Sequence, residues 1–187
     1  DLNIVLTIRL FFVKYFNTNN SFDDNLLYNL SKSGIFLGYE LNSEVFKNRI
    51  FGIQGGCGNY TAGIAAGGES KNNKFGYHNI GLFISSNEIS NIKGAEQEAY
   101  GISIVQARND FSNLEINYSF PDQPENLRIV NNMIWGFETT NPNAHINGIM
   151  LATERQSTNN FDWKNMNFAP KYSNYYSRND VIANNTI

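Results

Sequence analysis

Two short signatures alternate along this chain and limit what it can fold into. The first reads β-branched, x, x, Asn, x, Ile. It recurs at residues 45–50, 84–89, 129–134 and 182–187, with its Asn at Asn48, Asn87, Asn132 and Asn185. Five residues after the Asn, the first three copies carry a further apolar residue, Ile53, Ile92 and Phe137. The second signature is Gly-Ile followed by small or apolar residues, opening at Gly34, Gly63, Gly101 and Gly148. From each Asn to the next Gly the spacing is nearly constant, at 15, 14 and 16 residues. From each Gly to the following Asn it grows, through 14, 24, 31 and 37. One half of the repeat is fixed in length and the other half accepts insertions.

That asymmetry belongs to a solenoid. Each coil buries its apolar face only against its neighbours, and insertions collect as loops on one face. The alternating apolar positions beside each Gly and Asn specify short strands rather than helices. The signature Asn is expected to be the hinge of each coil, because Asn tolerates the left-handed conformation and hydrogen-bonds its own backbone. Equivalent Asn residues of successive coils would stand about 4.8 Å apart, close enough for their amides to form an asparagine ladder. A β-sandwich is the competing fold for short strands with turn signals, but it does not call for strict alternation of the two signatures.

These phrases, such as LRIVNNMI at 127–134 and VIANNTI at 181–187 alternating with Gly-Ile strands, resemble the repeats of right-handed parallel β-helix proteins of the pectin/pectate-lyase-like superfold. The resemblance runs from Gly34 to Ile187. It implies an all-β, right-handed parallel β-helix of about four to five coils with long loops on one face. The division expected is an N-terminal strand and capping segment at 1–33, followed by β-helix repeats at 34–187. The superfold carries many activities, so resemblance speaks to fold rather than chemistry.

Composition narrows the function classes. The chain has 187 residues, a net charge of −3, 17% charged residues and a single Cys, Cys57. A broad basic surface for nucleic acid is excluded, as are an intrachain disulfide and an all-cysteine metal site. About one residue in six is Asn, far above ordinary usage, so the surface is polar but uncharged. The chain opens on Asp1 rather than Met, the mark of a processed chain or a fragment. Segment 4–16 is its most apolar run, yet it is shorter than the roughly 20 residues of a membrane span and carries Arg9 and Lys14. It reads as a half-buried strand, with a signal-peptide remnant as the alternative. Segment 17–24 reads as a polar loop, and segment 25–31 as a helical turn or two forming a cap. The chain stops inside an Asn–Ile unit, where a solenoid needs a cap. That implies further chain beyond Ile187 or stacking on a partner through an uncapped C-terminal coil.

Chemistry is expected on the insertions 67–79, 107–126 and 154–180, since function collects on loops held by a rigid scaffold. The last two are rich in aromatics. Tyr118, Trp163, Tyr172, Tyr175 and Tyr176 are the candidate carbohydrate contacts, because aromatic faces stack on sugar rings; packing beneath the loops is the alternative. Arg108 and Arg155 each lie seven residues after a repeat Gly, with Glu154 beside the second. In register, the two guanidiniums would flank an anion such as a uronate carboxylate, and Glu154 completes the candidate catalytic set. A neutralised surface ladder is the plain alternative. His78 and His145 differ in repeat phase and share no metal, so neither metal nor cofactor is expected. The Gly-rich runs at 55–58 and 67–68 lack the Lys-Ser/Thr of a phosphate loop and read as tight corners. Five glycosylation sequons are what this much Asn yields by chance. Three classes stay open: an extracellular or cell- or virion-surface scaffold binding glycan, a lyase acting on a uronate-containing polysaccharide, and a tailspike-like or filament assembly subunit.

Overall fold

The structure, a computed structural model, describes residues 17–55, 60–70, 73–75, 79–107, 126–154 and 179–187. Three parallel sheets wind around one core. Sheet one holds β2 (Ser21–Asp23), β6 (Glu44–Phe46), β11 (Phe83–Ser85), β14 (Arg128–Val130) and β17 (Val181–Ala183). Sheet two holds β3 (Leu26–Ser31), β7 (Arg49–Gln54), β12 (Glu88–Ala95) and β15 (Met133–Thr139). Sheet three holds β4 (Ser33–Leu37), β8 (Tyr60–Ala66), β13 (Glu98–Ala107) and β16 (Ile146–Glu154). The chain visits sheets one, two and three in turn and starts again, so each strand pairs with its equivalents on neighbouring coils. This is a parallel β-helix. A small parallel pair, β1 (Asn17–Thr18) with β5 (Glu40–Leu41), closes the first corner.

Register explains the repeat. Val45, Ile84, Ile129 and Ile182 pair in one column of sheet one. Leu27, Ile50, Ile89 and Ile134 form a column in sheet two, as do Leu30, Ile53, Ile92 and Phe137. Ile35, Ile64, Ile102 and Ile149 form another in sheet three. Nearly all the central members are buried, and they meet in a single apolar core. β-branched side chains suit parallel strands packed on a core, and each fully buried one contributes about 1.5–3 kcal/mol.

The glycines have a steric reason. A Cβ on Gly34 would stand 2.6 Å from the Gly63 carbonyl oxygen and run into Ile50 Cγ2 of the next coil. A Cβ on Gly63 would stand 2.6 Å from the Gly101 oxygen and strike Ile89; one on Gly148 would stand 2.5 Å from Ile187 Cγ2. The two signatures alternate because the Ile of each Asn unit fills the space left by the Gly of the coil before it.

Three expectations are corrected. Segment 25–31 is not helical: Leu26–Ser31 is β3, paired in parallel with β7. Its apolar spacing of three, Leu27 to Leu30, arises because Asn29 is left-handed (φ 54°) and shifts the strand's parity. The 17–24 loop contains β1 and β2. The hinge is not the signature Asn but the residue before it. Asp24, Lys47, Ser86, Asn131 and Asn184 all have φ of 55–58°. The signature Asn turns its side chain inward instead.

All three insertions leave from the ends of β8, β13 and β16 and return to sheet one, at one edge of the coil. The first contains an antiparallel pair, β9 (Gly68–Ser70) with β10 (Asn73–Phe75).

Candidate binding face

The inner corner between sheets one and two carries the asparagine ladder. The backbone N–H of Asn48 donates to Asn87 Oδ1 (3.0 Å), that of Asn87 to Asn132 Oδ1 (3.0 Å), and that of Asn132 to Asn185 Oδ1 (2.9 Å). The side-chain amides repeat the pattern at 2.9–3.0 Å. Each Nδ2 also caps a sheet-one carbonyl of the preceding coil, such as Asn87 to Val45 (2.9 Å) and Asn132 to Ile84 (3.1 Å). Asn25 is a further rung, donating through its backbone and its side chain to Asn48 Oδ1. It departs from the sequence signature, because Phe22 and Leu27 stand where the other copies carry a β-branched residue and Ile. Its spacing to Gly34 is also only 9 residues.

A second polar column lies at the neighbouring corner. Glu40 is buried, and its carboxylate accepts from Asn17 Nδ2 (3.2 Å), Asn20 Nδ2 (2.9 Å) and Ser43 Oγ (2.6 Å). Its backbone N–H donates to Asn79 Oδ1 (3.0 Å). These donors satisfy a buried acceptor that would otherwise be costly. Both columns face inward and hold the scaffold together.

The candidate contacts Tyr118, Trp163, Tyr172, Tyr175 and Tyr176 lie outside the described residues, as do Arg108 and Arg155. Sheet three is in register up to their doorstep: Gln106 pairs with Thr153 and Ala107 with Glu154. The equivalent stretch of the first long repeat departs, because Glu69 lies in the β9–β10 hairpin, opposite Lys74. Among the described residues no group of His, Cys, Asp and Glu is placed to hold a metal. His145 Nδ1 instead lies 3.1 Å from Glu98 Oε1. Glu98 also accepts from the Tyr100 hydroxyl. Tyr100 packs against Tyr60 on the outer side of sheet three, with ring centroids 6.1 Å apart. Burial, reinforced by the hydrogen bond to Glu98, pushes the Tyr100 hydroxyl well above its ordinary range. It stays protonated and is no candidate base.

The outer face of sheet two is where the described residues offer a surface. Position three after each ladder Asn points outward, giving a column of Tyr28, Phe51, Ser90 and Trp135. Tyr28 and Trp135 are 54% and 44% exposed. The Tyr28 and Phe51 rings stack, with centroids 5.6 Å apart and planes at 12°. On one side runs the column Leu26, Arg49, Glu88 and Met133, with Arg49 Nε 3.0 Å from Glu88 Oε2. On the other side are Asn29 and Asn91, then Gln54, Lys93 and Glu138, with Lys93 Nζ 2.9 Å from Glu138 Oε2. The charges of this face thus cancel in two exposed ion pairs, which contribute little to stability. What remains is an aromatic stripe edged by amides. Sequence reasoning placed the aromatic contacts on the insertions. The Asn+3 position was readable, but its members differ in type and lie far apart in the chain, so only strand register joins them.

Comparison with protein-family models, with curated proteins and with solved structures gives no match. No helix among the described residues is long and apolar enough to cross a membrane.

Proposed function

We propose that this protein is a non-catalytic β-helix scaffold of an extracellular, cell or virion surface that binds carbohydrate on its exterior. One observation carries the reading: Tyr28, Phe51 and Trp135 stand in one column on a charge-balanced outer face. Exposed aromatics on a rigid sheet supply flat apolar area at little entropic cost, and the flanking amides suit sugar hydroxyls. The test is titration calorimetry with soluble oligosaccharides against the chain and its Tyr28→Ala and Trp135→Ala variants. Binding that weakens in both variants supports the reading; binding indifferent to both removes sheet two from it.

A further inference from the structure

The outer face of sheet two is complementary to itself, and we infer that it seats a second copy of this chain across a two-fold axis. The inference goes beyond the carbohydrate reading and uses the same face. Four large apolar side chains stand exposed there. Leu26 and Tyr28 on β3 are 56% and 54% exposed, and Met133 and Trp135 on β15 are 49% and 44% exposed. Large apolar side chains exposed together mark an interaction site. They occupy the two outermost strands of the sheet, with β7 and β12 between them. Level with Leu26 and Met133, the inner strands carry Arg49 and Glu88; level with Tyr28 and Trp135, they carry Phe51 and Ser90.

The register selects the axis. Two copies packed face to face by a two-fold share one patch, so each contact occurs twice. An axis parallel to the strands, midway between β7 and β12, lays β3 of one copy over β15 of the other and β7 over β12. Leu26 then meets the partner's Met133, Tyr28 meets the partner's Trp135, and Arg49 meets the partner's Glu88. With the Arg49–Glu88 pair inside each chain, the four charges form an alternating square. Farther along the strands, Gln54 meets the partner's Lys93 and Ser31 meets the partner's Glu138, so no like charges are opposed. An axis along the coil stack instead sets Leu26 on the partner's Ser31 and Met133 on the partner's Glu138. Only the strand-parallel axis joins apolar to apolar and cation to anion.

The face is four strands wide and Leu26–Ser31 is six residues long, which gives about 19 Å by 20 Å, or about 400 Å² per copy. A standard interface buries about 800 Å² per partner. The dimer is therefore weak, with a dissociation constant in the micromolar range or above. A seated copy covers Tyr28 and Trp135, so glycan and the second copy exclude each other and glycan binds the monomer.

The test is sedimentation velocity from about 10 μM to 1 mM on the native chain, Arg49→Glu, Glu88→Arg and an equal mixture of the two variants. Both side chains are exposed and their ion pair contributes little, so the variants fold, as circular dichroism checks. Each variant alone opposes like charges across the axis. In the mixture the two substituted positions meet with opposite charge, and the native Glu88 of one copy meets the partner's native Arg49. The 49–88 pair inside each chain stays repulsive, so the lost intrachain ion pair cannot explain a recovery. The expected result is a dimer for the native chain and the mixture, with association weakened at least tenfold in each variant alone. A native chain that stays monomeric up to about 1 mM overturns the dimer. Variants that dimerise like the native chain, or a mixture that stays monomeric, overturn this face and axis, and assemblies larger than two overturn the closed two-fold. Sugar binding is read separately by calorimetry, so its absence removes the carbohydrate reading and leaves the dimer standing.

Discussion

Replacing Asn87 by Ala should be among the most damaging single changes available to this fold, although it removes no apolar group. Asn87 is 1% exposed and sits mid-ladder. Its Oδ1 accepts from the Asn48 backbone N–H and side chain, both at 3.0 Å, and its Nδ2 donates to the Val45 carbonyl (2.9 Å) and Asn132 Oδ1 (2.9 Å). Alanine leaves two buried backbone groups, Asn48 N–H and Val45 C=O, without these partners. Asn132 Oδ1 keeps the Asn87 backbone donor. Each orphaned group costs about 1–3 kcal/mol, so the loss is about 2–6 kcal/mol. For a chain of this size that corresponds to a midpoint lowered by about 4–24 °C, at roughly 2–4 °C per kcal/mol. Asn87→Asp should do no better: it keeps the acceptor, loses the Nδ2 donor and buries a charge beside Asn132 Oδ1. The assay is urea unfolding followed by far-ultraviolet circular dichroism, with Asn143→Ala, an exposed Asn outside the ladder and the left-handed corners, as reference. A loss below about 1 kcal/mol for Asn87→Ala, or a loss no larger than that of Asn143→Ala, would refute the claim that the ladder carries stability.

Three further outcomes follow from the same geometry. Gly101→Ala should cost about 1–3 kcal/mol as overpacking. Adding Ile134→Ala should not restore it, because the Gly148 carbonyl oxygen still stands where the new Cβ must go; full recovery in chemical unfolding would contradict this. Glu40→Gln should destabilise by about 1–3 kcal/mol, because one oxygen that accepts from Asn17, Asn20 or Ser43 becomes a donor facing donors; an unchanged unfolding midpoint would count against it. Tyr100 should make the fold sensitive to alkali. Its hydroxyl is raised by burial and by Glu98, so the folded state holds the proton more tightly than the unfolded state does. The stabilisation is complete below the unfolded value near 10 and is lost as pH rises above it. Tyr100→Phe should flatten the fall in stability above about pH 10, and an unchanged alkaline slope would exclude this tyrosine as its source.

The repeat was legible where chemistry permits only one residue type. Only Gly fits beside the Ile of the following coil, and only an amide can accept and donate along a buried ladder, so the Gly34 and Asn48 columns are visible as letters. The left-handed corners were not, because Asn, Gly, Asp, Lys and Ser all serve there. Asn19, Asn42, Gly81, Asn126 and Asn179 form one such column, each two residues before a sheet-one strand. Asn29, Gly52, Asn91 and Gly136 form another within sheet two. Eight described Asn residues adopt left-handed φ, so the asparagine excess has a backbone cause beyond the ladder. The outer aromatic column was hidden for a different reason. An outward position is not held to one residue type by the core, and Tyr28, Phe51, Ser90 and Trp135 share nothing but register.

The ladder is tested most directly by hydrogen exchange of the asparagine side-chain amides, read residue by residue in nitrogen–proton correlation spectra after transfer to deuterated buffer. Asn48, Asn87 and Asn132, each with at most 1% exposure and with its Nδ2 bonded to the next coil, should keep their Nδ2 signals long after those of exposed Asn29 and Asn91 have vanished. Equal and rapid loss of all five would contradict a coil held together by stacked asparagines.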